Sequence, residues 1–265
     1  MVKSDRNRTT PKTDYDWKEG GEEWSRPWGT SAAQWYGAIY PRMHGYLPAD
    51  TILEIAPGFG RWTHYLKDHC QHLYIVDPTA KCIEACRQRF GDDSGLSYHI
   101  NDGRSLAMIA DCSIDFVFSF DSMVHVKRDI LEGYLSQLTA KLKPDGLGFI
   151  HHSNLGQYAD SAVARAPRPV RKLLTKMKVL DSDKRRAPDM TAELFRSACA
   201  EHGLQCISQE VVNWRGRQLI DCFSLFTKKD SKWDRPLRFR RNPNFMQEAE
   251  LIRRWSAIYP GMTKS

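Results

Sequence analysis

The chain has 265 residues, 41% of them hydrophobic, with 39 Lys and Arg against 32 Asp and Glu. That suffices for one large α/β domain with extensions, and no apolar run reaches the roughly 18–20 residues of a membrane span. The seven cysteines lie at irregular spacing without a CxxC and read as free thiols. The polar start lacks the apolar stretch of a signal peptide, so the expected location is cytoplasmic.

Residues 1–22 are polar and are expected to be flexible. Trp24, Trp28, Trp35, Tyr36 and Tyr40 follow in an aromatic lead-in, helix-like over about 31–45. From Thr51 short apolar strands alternate with helices: strands at 51–55, 73–76, 96–100, 115–120 and 147–151, helices at 60–68, 79–90 and 130–142. The run Lys143-Pro-Asp-Gly146 reads as a turn before the fifth strand. Thr191 and Gly203 bracket a further helix. Strands at 205–212 and 221–227 then form a terminal hairpin, and a helix is expected at 244–258.

This rhythm implies an α/β fold: a doubly wound, mostly parallel seven-stranded sheet with a C-terminal antiparallel hairpin, an N-terminal aromatic helical lead-in and a helical insertion. The expected organisation is a flexible N-terminus (1–22), one domain (23–228: core 50–155, insertion 156–190, terminal helix and hairpin 191–228) and a basic extension (229–265). Residues 165–186 hold nine Lys/Arg against two Asp, and residues 228–265 ten Lys/Arg against four acids. The basic character thus belongs to the insertion and the tail. It reads as solvated surface or as a docking face for an anionic substrate.

The strongest local signal is Glu54-Ile-Ala-Pro-Gly58-Phe-Gly60, directly after the first strand. Glycines there let the backbone turn sharply and approach a ligand. Thr63 stands where a dinucleotide fingerprint wants a third glycine. Asp77-Pro78 ends the second strand, placed to bind ribose hydroxyls, and Asn101-Asp102-Gly103 ends the third, where a side chain can meet an adenine amino group. The alternative for the latter is an ordinary turn.

With Ser119-Phe120-Asp121 and Leu142-Lys-Pro-Asp-Gly146, these segments resemble the successive motifs of class I methyltransferases over about residues 50–228. The resemblance implies S-adenosyl-L-methionine as cofactor and S-adenosyl-L-homocysteine as product. It also implies donor contacts from Glu54, Gly58, Gly60, Asp77, Pro78, Asn101, Asp102, Gly103 and Phe120.

Methyl transfer is an in-line displacement, so the protein must align the acceptor and, for a hydroxyl, take up a proton. Catalytic groups are therefore expected after the fourth and fifth strands. His152 is the favoured base, with His125 as rival or partner and Asp121 as an orienting acid. Strand alternation points His151 and His152 to opposite faces. Trp28, His151, Asn154, Arg186 and Asp189 are the expected acceptor-binding residues; for Trp28 the alternative is core packing. No metal ligand set is assigned: only Asp121 is clearly placed, and magnesium wants several oxygens.

The general layout also resembles bacterial enzymes that methylate sugars of polysaccharides. The expected reaction is O-methylation of a sugar hydroxyl on a glycan, glycolipid or glycosylated metabolite. Alternatives are a small-amine N-methyltransferase, an RNA methyltransferase, and a non-catalytic donor-binding subunit. DNA base methylation is disfavoured, because no Asn-Pro-Pro-Tyr-like motif follows the fourth strand.

Overall fold

The computed structural model describes residues 17, 19–159, 161, 167–177, 185–214 and 216–258. Most of the segment expected to be flexible, parts of the insertion and the last seven residues lie outside these. The strands are β1 (Ala49–Ile55), β2 (Cys70–Asp77), β3 (Leu96–Ile100), β4 (Ile114–Ser119), β5 (Leu142–Ser153), β6 (Leu204–Val212), β7 (Asp221–Lys228) and β8 (Arg238–Asn242). They form one sheet in the order β3-β2-β1-β4-β5-β7-β6-β8. Only β7 runs antiparallel to its neighbours, β5 and β6.

The sheet therefore has eight strands, where the sequence reading gives seven. The extra strand β8 adds in parallel to the outer side of β6. Its sequence, Arg-Phe-Arg-Arg-Asn, is exposed on both faces except at Asn242, so it carries no apolar alternation to betray it. The expected turn at residues 143–146 is a second correction. These residues lie within β5, where Ile114 pairs with Leu142 but Phe116 with Leu147. The surplus residues bulge outward, with Pro144 and Asp145 exposed, which is how a strand tolerates a proline.

The helices are α1 (Ser31–Gln34), α2 (Thr63–Leu66), α3 (Ala80–Phe90), α4 (Arg128–Lys141), α5 (Arg168–Lys176), α6 (Ala192–Glu201) and α7 (Phe245–Ile258). Thr191 caps α6 by accepting the Leu194 N–H at 3.0 Å, and Gly203 follows it at φ +76°, as the sequence implies. The lead-in is less regular than a single helix: α1 passes into a π-helical turn (Trp35–Ile39) and then a 3-10 turn (Tyr40–Arg42).

Two apolar layers cover the sheet. On one face the lead-in, α3 and α7 bury Trp28, Trp35, Trp62, Phe118, Phe223 and Phe245 together. On the other, α4 and α6 bury Leu131, Leu135, Leu138, Phe195 and Phe226. Trp28 and Trp35 are fully buried. At roughly 200 Å² each and about 25 cal/mol per Å², the two tryptophans supply on the order of 10 kcal/mol of transfer free energy, an upper bound before entropy. Arg42 locks this layer to the sheet. Its guanidinium donates to both Glu210 carboxylate oxygens, at 2.6 and 2.9 Å, and lies 5.1 Å from the Phe245 ring centroid.

Candidate active site

The loop after β1 is held in conformations that side chains resist. Ala56, Gly58 and Gly60 have φ of +59°, +60° and +78°. A Cβ on Gly58 would lie 2.4 Å from the Trp17 indole, and one on Gly60 would lie 2.5 Å from the Phe90 ring. Trp17 stacks on Phe59 at 4.7 Å, so its indole rests directly on this loop. Two serine hydroxyls tie the loop to the end of β4: Ser119 donates to the Ile55 carbonyl at 2.8 Å and Ser122 to the Ala56 carbonyl at 2.7 Å.

Below the loop, Glu54 is 1% exposed. One carboxylate oxygen accepts from the Thr63 hydroxyl; the other is buried without a partner. Burial pushes its pKa up to about 8 despite the Thr63 bond. Asp77, at the end of β2, is also pushed up by burial, to about 6, and accepts from the Thr79 N–H at 2.8 Å. Beside it, the Asn101 and Asp102 side chains build a turn. Asn101 accepts from the Gly103 N–H at 3.0 Å and donates to the Tyr134 hydroxyl, also at 3.0 Å. Asp102 accepts from the N–H groups of Ser105 and Arg104, which hold its pKa low. Gly103 faces Pro78: a Cβ on it would stand 3.6 Å from the proline ring.

At the ends of β4 and β5 a row of ionisable groups runs through the molecule: Arg61, Asp121, His151, Asp221 and Arg186. Arg61 pairs with Asp121 and donates to Ser25 of the lead-in at 3.0 Å. Asp121 sits at φ +68°, a conformation that Asp tolerates better than most residues. His151 is fully buried, with Nδ1 3.3 Å from Asp121 Oδ1 and Nε2 3.4 Å from Asp221 Oδ2. Arg186 grips Asp221 through two bonds, of 2.9 and 2.8 Å. Phe120 and Phe223 wall the imidazole at 4.6 and 4.8 Å, and Trp214 at 5.8 Å.

The charges follow from this packing. Burial works against a charged Asp121, but Arg61 and His151 hold its pKa at about 2. Burial likewise opposes ionised Asp221, and Arg186 overrides it, placing its pKa well below the carboxylate range. Burial also disfavours the His151 imidazolium, yet the two carboxylates outweigh it and raise its pKa. The Asp121 backbone N–H points at His151 Nδ1, at 3.3 Å. Neutral His151 therefore accepts there and carries its proton on Nε2, which lies 3.4 Å from Asp221 Oδ2 without closing a hydrogen bond. Protonated, it places its charge between the two carboxylates, 3.3 and 3.4 Å away.

His152 is placed differently. It faces the α6 side, stacked on Phe195 at 4.2 Å, with Nε2 2.8 Å from the Ser224 hydroxyl. Burial depresses its pKa to about 3. The alternation of the two histidines is as the sequence reading has it, but the one beside Asp121 is His151, and the favoured base shifts accordingly. His125 is exposed on a 3-10 turn (Met123–His125), with Nδ1 2.8 Å from the Arg185 carbonyl.

Three residues expected to bind the acceptor are occupied elsewhere. Trp28 packs between Trp214 and Phe245, each at 5.7 Å. Asn154 donates to the Leu219 carbonyl and accepts from the Ala192 N–H, at 2.7 and 2.8 Å. Arg186 is committed to Asp221. Asp189 is exposed and accepts from the Arg128 N–H at 3.3 Å. Sequence reasoning missed Arg61 and Asp221. A cation directly after the glycine loop, and a lone acid opening the apolar strand Asp-Cys-Phe-Ser-Leu-Phe, were the available signals.

Residues 52–146 match the family model of the methyltransferase domain. No curated protein matches the chain. Among solved structures it resembles a Pyrococcus horikoshii protein (TM-score 0.54, 19% identity, covering 75% of this chain and 91% of that one). An S-adenosylmethionine-dependent methyltransferase from Mesorhizobium loti gives 0.51, 17%, 73% and 97%, and one from Methanosarcina mazei 0.51, 16%, 72% and 98%. At these identities the structures establish the fold. Residues 52–146 thus form a methyltransferase domain, whose cofactor is S-adenosyl-L-methionine. The residues present fit that group. Glu54 keeps an unpartnered oxygen beneath a glycine loop, and Asp77 stands at the strand end suited to a ribose.

Proposed function

We propose that the acceptor is a hydroxyl, on a sugar of a glycan, glycolipid or glycosylated metabolite. The observation that carries this reading is His151 held between Asp121 and Asp221. A neutral amine can attack without giving up a proton first, whereas a hydroxyl profits from a base as it attacks. Glu54, Gly58, Gly60, Asp77, Asn101, Asp102 and Phe120 would hold S-adenosylmethionine, which supplies an electrophilic methyl group on a sulfonium. Asp121, the only partly exposed member of the row, accepts the acceptor's O–H and orients it. As the acceptor oxygen bonds to the methyl carbon, its proton passes through the Asp121 carboxylate to His151 Nδ1, 3.3 Å from Asp121 Oδ1, because His151 itself is fully buried. Asp221, fixed by Arg186, keeps the imidazole oriented and stabilises its charge.

The test is methyl transfer from labelled donor to a panel of sugar glycosides, small amines and RNA, with the product's linkage identified. Methyl ethers formed on the glycosides support the reading. Transfer confined to amines or RNA, or donor binding with no transfer to any class, would sink it.

A further inference from the structure

The basic insertion contains a helix whose chemistry the methyl-transfer site does not use. Along α5, Arg168–Lys176, and the adjoining Met177, the helical repeat sets Val170, Leu173, Leu174 and Met177 on one face. Lys172 and Lys176 lie on the opposite face. Val170 is 44% exposed, Leu173 57% and Met177 61%. None of the four belongs to the apolar layers of the sheet. Residues 168–177 carry four Lys/Arg and no acid. A helix that turns an aliphatic stripe to solvent and carries cations on its other face is suited to an anionic apolar boundary.

Its attachment is as telling as its composition. The chain enters the insertion from the end of β5, two residues past His151. It returns where Ser153 donates to the Ala187 carbonyl at 2.7 Å and the Ala187 N–H to the Val124 carbonyl at 2.8 Å. Both anchors lie at the sheet edge that carries Asp121 and His151. We infer that α5 docks this edge onto an anionic lipid surface, lying in the headgroup region with its aliphatic stripe inward. Pairing with a second copy would bring two acid-free cationic helices together, whereas an anionic surface complements them. No helix among the described residues is long and apolar enough to cross a membrane, so the attachment is peripheral.

The experiment is sedimentation of the full chain with vesicles of phosphatidylcholine alone or with about 30% phosphatidylglycerol. The wild type should bind the anionic vesicles at least about tenfold more tightly, and lose most binding in about 0.5 M salt. Lys172→Gln/Lys176→Gln should weaken binding by about fivefold per charge, roughly 25-fold together. Leu173→Ser/Met177→Ser should weaken it about tenfold or more at low salt, with the unfolding curve unchanged because these side chains are exposed. The inference is overturned if the wild type ignores anionic vesicles or if both variants bind like it. It is also overturned if the Leu173/Met177 variant dissolves a dimer, or loses RNA binding, while vesicle binding persists. Binding is read without donor or acceptor, so it stands or falls apart from the hydroxyl reading.

Discussion

His151 Nε2 lies 3.4 Å from Asp221 Oδ2, in a chamber where neither side chain is exposed. The pair works only with Arg186 on its far side and Asp121 on its near side. Removing any one charge would leave another buried without compensation.

The first prediction concerns that row. His151→Gln should lower kcat by about 10²–10⁴-fold. In the wild type kcat/KM should rise with pH, because His151 accepts a proton only when neutral. The midpoint should lie above 6.5, since the carboxylates raise its pKa. Asp221→Asn removes one of those charges, so the midpoint should move to lower pH while the maximal rate falls. A pH–rate profile of the two proteins, each checked for folding, decides it; a midpoint that stays put excludes His151 as the titrating base.

His152 should behave oppositely. His152→Ala empties a slot against Phe195 and takes one partner from the Ser224 hydroxyl, which keeps Gln209, costing about 2–4 kcal/mol of stability. Urea unfolding should show that loss, while kcat of the folded fraction stays near wild type. A large fall in kcat with unchanged stability would return the role of base to His152.

Glu54 makes donor affinity depend on pH. With its pKa near 8 and that of Asp77 near 6, both acids must ionise to receive cationic or hydroxyl groups. Binding of S-adenosylhomocysteine should therefore tighten as pH rises from about 6 to 8. The stability linkage has the reverse sign. Below the unfolded pKa of 4.5, Glu54 is neutral in both states. As pH rises from 4.5 to about 8, the unfolded chain ionises first and the folded protein loses stability, by up to roughly 1.4 kcal/mol per pH unit. Glu54→Gln should flatten both trends, measured by calorimetry and by unfolding at several pH values.

Arg42→Ala should destabilise the protein by about 2–4 kcal/mol, because Glu210 is left half-buried beside Asn242 with its cation gone. Burial alone would raise the Glu210 pKa, but Arg42 lowers it overall. This contribution is present above pH 4.5 and disappears as pH falls through the depressed folded value. The difference between variant and wild type should shrink in acid; a constant gap across pH would locate the effect in lost packing on Phe245 instead.

The half of the fold that carries the glycine loop was legible because its signals are local. The glycine loop, Asp77 and the turn at Asn101–Gly103 each follow a strand whose apolar run announces it. The alternation rule separated His151 from His152, but sequence offered no way to tell which face holds Asp121. The loop after β4 sets where Asp121 lies, and Asp221 arrives only because β7 lies beside β5, opposite Ser153, a pairing across roughly seventy residues that no local pattern encodes. β8 was hidden for a different reason: an edge strand open to water on both sides has no need of apolar residues.

The wall behind His151 has a consequence for how relatives should be compared. Phe223 touches the imidazole and is itself covered by Phe245 at 5.2 Å, while Trp214 is backed by Trp28. Phe245 and Trp28 belong to the two ends of the chain, outside residues 52–146. The walls around the histidine are thus supplied by the flanks, as are His151 and Asp221 themselves, so likeness over the central stretch alone carries no information about this pair.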